Sequence, residues 1–167
     1  ISQRYAEVSD DIQSSPTLLS RFEHCGIVPQ NEMQRIGGVG MAARASGLLR
    51  DIRSSHPWGA YNTEPQHDSC TMHDGDVMSR LKVRCEEVQQ SAQRIKSLLE
   101  GYTPSEKHLH PDYECNLKPS HLSFGLIEGW RGEICHVALT DDKGQISTYK
   151  IKEPSLHNWL ALALAVR

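Results

Sequence analysis

Apolar positions follow two different periods in this chain. Met78, Leu81, Cys85, Val88, Ala92, Ile95 and Leu99 recur in alternating steps of three and four, with Lys82, Arg84, Glu86, Glu87 and Gln90 off the stripe. That spacing lines one face of a helix. Asp74 or Asp76 can cap its start and Gly101 can end it, which predicts a long amphipathic helix over about 76–100. Later the period falls to two. "SFGLIE", "EICHVALT" and "QISTYKI" read as strands, with Cys135, Val137 and Leu139 on one face and "DDKG" (141–144) as the turn of a hairpin. "PSLHNWLALALAV" then reads as a last helix capped by Ser155.

The first part is helical in shorter pieces. Tyr5, Val8 and Ile12 keep helical spacing up to "SSP", where Ser15 as cap and Pro16 in the first turn open a second helix. Leu18, Leu19 and Phe22 are expected to face the core, with Gly26 closing the element. "NEMQ" (31–34) has the form of a capping box, and "GGVG" (37–40) interrupts the helix it begins. "MAARASGLLR" resumes a helical turn before Gly47, and 51–76 reads as loop. A Pro/His-rich linker, 102–122, separates the mainly helical part (1–101) from the sheet and last helix (123–167). The expected class is α+β, one domain over 1–167, with helices first and a small antiparallel sheet later.

Composition narrows the function. Eighteen Lys and Arg against 21 Asp and Glu give a net charge of -3 over 167 residues. That balance argues against nucleic acid as a partner, because phosphate binding needs a basic face. The longest apolar run, Trp159 to Val166, falls well short of the ~20 residues of a membrane span. Five cysteines with no CxxC make an odd set, unlike a disulfide framework or a closed zinc site. His67, Cys70 and His73 are spaced by threes, and His108 and His110 form a second, thinner metal candidate. Each supplies fewer donors than the four of a structural site, so solvated loop histidines are the preferred reading. Arg167 closes the sequence straight after "WLALALAV" without a stop signal, and the expectation is a piece of a longer protein.

Four stretches carry a family resemblance. "GVGMAARASGLLRDIRSSHPWGAY" (38–61) is similar to the G-x-x-x-R-A-S-G…D-x-R…H-P-x-x-x-Y segment of the nickel–iron hydrogenase large-subunit superfamily, which includes the 49 kDa subunit of respiratory complex I. "GDVMSRLKVRCEEVQQSAQRI" (75–95) resembles the long helix that follows there. "IEGWRGE" matches E-A-P-R/K-G-E with tryptophan in place of proline, and "YKIKEPSLHNW" resembles the K-I-R-x-P-S-F segment after the sheet. The match runs in register over nearly the whole chain and is nearest to membrane-linked, energy-converting enzymes of formate-hydrogenlyase type.

The resemblance implies a part of an oxidoreductase large subunit that links H2/proton or quinone chemistry to electron transfer. It implies Arg131 and Glu128 of the E-x-x-R-G turn as catalytic residues, since in hydrogenases that arginine projects over the metal. Arginine keeps its charge in a dry cavity where lysine can lose it. An Arg131–Glu128 ion pair fixing a sheet corner is the plainer alternative. The family's nickel–iron centre is bound by two CxxC pairs, neither present here, so no cofactor or metal site is expected in this chain. An iron–sulfur small subunit and further subunits of a membrane-bound complex are the implied partners, at the cytoplasmic side and peripheral to the inner membrane. A non-catalytic scaffold subunit is the alternative function. Arg44, Arg50, Asp51 and Arg53 read as structural salt bridges rather than proton- or quinone-coupling groups. His136 reads as a hydrogen-bonded strand residue, and His157 is given no role. Trp130 reads as a core plug or a subunit contact. The unpartnered stripe 78–99 and the "WLALALAV" face predict self-association.

Overall fold

The computed structural model describes residues 2–62, 66–103 and 116–167. His108 and His110 lie outside the described residues. Helices α1 (Ser2–Ser14), α2 (Pro16–Phe22), α3 (Gln30–Arg35), α4 (Gly40–Ala45) and α5 (Ile52–Ser55) come first, followed by a 3-10 turn at Gly59–Tyr61. Then come the long helix α6 (Val77–Glu100), strands β1 (Leu122–Gly129), β2 (Gly132–Thr140) and β3 (Ile146–Lys152), and α7 (Ser155–Ala165). The class is α+β, with one antiparallel sheet in the order β1-β2-β3.

Asp76 is the cap of α6. Its carboxylate accepts from Ser79 N at 2.7 Å and from His24 N at 2.9 Å, so one side chain starts the helix and anchors the loop after α2. Arg80 tightens the same joint by donating to the Gly75 and Gly26 carbonyls. The inward face of α6 is Met78, Ser79, Val83 and Cys85. Val83, which falls off the sequence stripe, is fully buried, whereas Leu81 is half-buried and Ile95, Leu98 and Leu99 are exposed. The stripe therefore marks the helix and shares Met78 and Cys85 with the buried face, but it misses Val83, the residue that packs on α4.

Three caps differ from expectation. α3 begins two residues earlier than the capping box implied, behind Pro29 and with no side-chain cap, because proline already fixes φ there. α7 starts behind Pro154, leaving Ser155 as its first helical residue. α2 has Pro16 at its start, but the Ser15 side chain makes no cap bond. Leu18, Leu19 and Phe22 are only half-buried. The 51–76 stretch, read as loop, contains α5 and the 3-10 turn. Asp51 caps α5 by accepting from Arg53 N at 2.9 Å.

Two apolar clusters flank α4. One joins Val28, Met33 and Ala43 to Ala161 of α7, and the other joins Met41 and Ala45 to Val83 of α6. Each large side chain buried here is worth ~1.5–3 kcal/mol. Ala43 and Ala45, both without exposed surface, let the neighbouring helices come close. The sheet is covered much less. Leu122, Phe124, Ile146, Tyr149 and Ile151 are more than half exposed, as are Leu156, Trp159, Leu160 and Leu162 of α7.

Candidate functional site

The β1–β2 hairpin turns on two residues, Trp130 and Arg131, between the paired glycines Gly129 and Gly132. Its tip lies against the start of α4. A Cβ on Gly40 would stand 2.2 Å from the Gly132 Cα, and Gly40 itself has φ +66. A Cβ on Gly132 (φ +130) would meet Gly40 N and Cα at 2.8 Å. Backbone touches backbone, which only two glycines allow. Asn158 of α7 locks the junction. Its Oδ1 accepts from Val39 N at 3.1 Å, and its Nδ2 donates to the Val39 carbonyl at 3.3 Å and the Arg131 carbonyl at 3.1 Å.

This clamp holds the Arg131 backbone and leaves its side chain outside. Arg131 is exposed, and among the described residues its guanidinium has neither a hydrogen bond nor an ion pair. The sheet-corner ion pair with Glu128 does not form. Trp130 is 59% exposed and so is no core plug; the Arg84 guanidinium sits 5.9 Å from its ring centroid. Trp130, Arg53, Tyr61 and Glu128 border a groove of about 580 Å³ along α6.

Glu128 points the other way, into a buried charge cluster. Its Oε1 accepts from Arg44 Nη1 at 2.8 Å and its Oε2 from Ile52 N at 3.2 Å. Arg44, 1% exposed, also donates from Nε to Glu87 at 2.8 Å and from Nη1 to the Arg50 carbonyl at 2.8 Å. Arg53 grips Asp51 with Nε and Nη2, at 2.9 and 2.7 Å, and reaches Glu87 at 3.3 Å. Asp51 Oδ2 further accepts from Ser69 at 2.9 Å and lies 3.2 Å from His67 Nε2. Glu128 and Glu133 face each other across the strands, and each has its own cation, Arg44 and Lys152. Burial pushes the Asp51 carboxyl up, but the bonds from His67 and Arg53 and the charge of Arg44 outweigh it and hold it far below the usual carboxylate range. Burial wins at Glu128, whose carboxyl is raised despite Arg44, with the Asp51 charge adding to the rise.

Arg44, Asp51 and Arg53 thus form the salt bridges read from the sequence. Arg50 donates to the Gly38 carbonyl at 3.1 Å instead. His136 accepts or donates at 2.6 Å with Tyr149, as a hydrogen-bonded strand residue. Sequence reasoning missed Glu87 and the tie between His67 and Asp51. Glu87 falls on the polar side of the helical stripe, where a solvated residue is expected. Its only signal is the acidic pair "EE" one turn past Val83.

The donors of this stretch do not fit a nickel–iron centre. Cys25, Cys70, Cys85 and Cys135 sit on separate elements, and burial raises the Cys70 thiol, which disfavours the thiolate that binds metal. Among the described residues, no three His, Cys, Asp or Glu stand close enough to hold a metal ion, so His67, Cys70 and His73 are not gathered into one site. No helix among them is long and apolar enough to cross a membrane.

The fold and the motifs have relatives. The chain is 26% identical over 171 residues to formate hydrogenlyase subunit 5 of Escherichia coli (strain K12), matching 96% of this chain and 28% of that protein. It is 32% identical over 178 residues to NADH-quinone oxidoreductase subunit 4 of Thermus thermophilus, matching 92% of this chain and 43% of that one. The chain therefore spans less than half the length of these relatives. Among solved structures, the membrane-bound sulfane sulfur reductase, an archaeal respiratory membrane complex, has a chain with the same fold. The TM-score is 0.85 at 22% identity, over 99% of this chain and 46% of that one. With residues 1–123 matching the family of the respiratory-chain NADH dehydrogenase 49 Kd subunit, this chain belongs to that family, within the superfamily it shares with the nickel–iron hydrogenase large subunits.

Proposed function

We propose that this chain is the part of an oxidoreductase large subunit that presents Arg131 to the reaction centre of the whole protein. The parent reaction is of NADH-quinone oxidoreductase or nickel–iron hydrogenase type, coupling quinone or H2/proton chemistry to electron transfer. The observation that supports this is the clamped tip. Gly40, Gly132 and Asn158 fix the arginine backbone on three elements, yet the guanidinium has no partner among the described residues. A cation carried on a clamped backbone, with no structural partner to hold it back, is available to stabilise charge that develops on a reacting group. Glu128, one residue before the end of β1 and three before Arg131, is the second proposed catalytic residue, and its raised carboxyl is suited to holding a proton. Metal, where the parent uses one, would be bound by cysteines beyond this stretch, and the isolated chain would be inactive.

The partners we propose are an iron–sulfur small subunit and other subunits of a membrane-bound complex, with the protein peripheral on the cytoplasmic face. The exposed apolar sheet and α7 support such packing, and would drive self-association of the isolated chain. They also support the second reading, a scaffold that holds redox partners without chemistry of its own. Arg131→Lys in the assembled parent complex separates the two. The catalytic reading expects normal assembly and turnover lowered at least about tenfold, since lysine offers a flexible point charge in place of a planar fork. Unchanged turnover at equal assembly would leave only the scaffold.

A further inference from the structure

The cluster beneath β1 is one charge out of balance. Two guanidinium cations, Arg44 and Arg53, face three carboxylates, Asp51, Glu87 and Glu128, in a space where the Asp51 and Glu128 side chains are 1% and 4% exposed. An unmatched negative charge in such a place is costly, and taking up a proton is the cheapest way to remove it. His67, 7% exposed, lies against this cluster with Nε2 3.2 Å from Asp51 Oδ2. We propose that the cluster is a binding site for one proton, shared between the His67 imidazole and the Glu128 carboxyl.

Geometry excludes the other two carboxylates. Asp51 accepts from Arg53 N, Nε and Nη2 and from Ser69, so protonation would discard several bonds. Glu87 Oε1 is held by both arginines. Glu128 has one guanidinium and one backbone N–H, and burial already favours its neutral form. Arg44 Nη1 lies 2.8 Å from Glu128 and 3.7 Å from Asp51, the carboxylate that His67 Nε2 faces at 3.2 Å, so Arg44 and Asp51 stand between the two proton acceptors. A change of charge at one acceptor therefore reaches the other through these two groups. With Nε2–H directed at Asp51, the arriving proton adds to the Nδ1 lone pair and makes an imidazolium–carboxylate pair.

Solvent reaches His67 along a groove of about 560 Å³ that it lines with Gln66, Glu86 and Arg94. Other groups near the imidazole do not cancel the imbalance. Tyr61 presents its ring edge-on at 5.5 Å, and Arg94 is stacked on Tyr61 and bonded to the Ala60 carbonyl. Asp68 and Glu86 beside it and Arg50 on the far side are exposed, and Glu133 is paired with Lys152. Water screens these charges in a way it cannot screen the cluster.

The site is tested without reference to catalysis, so its failure is separate from failure of the oxidoreductase reading. Histidine 13C-ring resonances are followed against pH in the whole chain, with His67 assigned by His67→Gln, and again in Glu128→Gln. Removing one carboxylate balances the cluster, so the His67 midpoint should fall by about one pH unit, a tenfold loss of proton affinity. Glu87→Gln makes the same charge change from α6 and should lower it likewise, which covers the case where Glu128→Gln does not fold. A His67 midpoint within about 0.3 units of the unmodified chain in whichever variant folds would overturn the proposal.

Discussion

Arg44 and Arg131 are the same residue type, one packed against β1 of the hairpin and the other in its turn, and they are used in opposite ways. Arg44 is buried on α4, with its guanidinium spread over Glu87, Glu128 and the Arg50 carbonyl. Arg131 is anchored only through its backbone carbonyl, by Asn158, and its charge stands in solvent. The difference lies in what the backbone around each residue does. Around Arg44 the chain turns acidic side chains inward and must neutralise them. Around Arg131 two glycines bring the backbones together, so nothing is asked of the side chain. A charge freed from structural duty is available to a ligand or a neighbouring subunit.

Breaking the buried side should have the largest effect. Arg44→Met removes the cation shared by Glu87 and Glu128 and strands buried carboxylates, a loss of about 3–5 kcal/mol. Urea unfolding of the chain should report it as a lower midpoint, and a loss below about 1 kcal/mol would mean that water replaces the guanidinium. Gly40→Ala comes next. It combines a left-handed φ with a Cβ 2.2 Å from the Gly132 Cα, so hairpin and α4 must move apart. The expected cost is about 2–3 kcal/mol, together with increased hydrogen exchange at Val39 N and along 129–132. Normal stability and exchange would show that the junction yields easily.

The smallest effect is one of pH, and its sign differs between two carboxylates of the same cluster. Asp51 has a folded value below its unfolded one, so its contribution is present above the ordinary aspartate range and is lost as pH falls toward the folded value. Glu128 is raised, so its contribution is complete below about 4.3, the ordinary glutamate value, and is lost as pH rises through the folded one. Glu128→Gln should therefore remove a stability decrease above that point, and Asp51→Asn a stability decrease on acidification. Parallel changes in the two stability–pH curves would contradict the opposite shifts.

Much of this fold is legible in the sequence where the signal is local. The long helix, its Asp76 cap, the "DDKG" turn and the alternation of Cys135, Val137 and Leu139 need only neighbouring residues to be read. In the turn, Asp141 accepts from Lys143 N and Gln145 N. Val83 and Glu87 are misread by periodicity because their burial is set by partners on α4, Met41 and Ala45 for Val83 and Arg44 for Glu87, which a local stripe does not encode. The helix in 51–76 escapes notice because its cap, Asp51, is also committed to His67 and Ser69, sixteen and eighteen residues on. Trp130 reads as a core plug or a subunit contact, and its exposure at a two-residue turn removes the first of these. The site divides in the same way. "IEGWRGE" marks the tip, whereas the floor beneath it comes from residues as far apart as 44, 87 and 128, a convergence that spacing does not reveal.

The contrast between the two arginines is most directly tested by making the same change in both and measuring unfolding free energy side by side. Lysine keeps the charge and removes the fork. Arg44→Lys should lose about 2–3 kcal/mol, because one ammonium cannot replace hydrogen bonds to Glu87, Glu128 and the Arg50 carbonyl at once. Arg131→Lys should stay within about 0.5 kcal/mol of the unmodified chain, as for an exposed side chain with no structural partner. Equal losses at the two positions, or a larger one at Arg131, would contradict the division between a charged floor that holds the fold and a tip arginine left free to act.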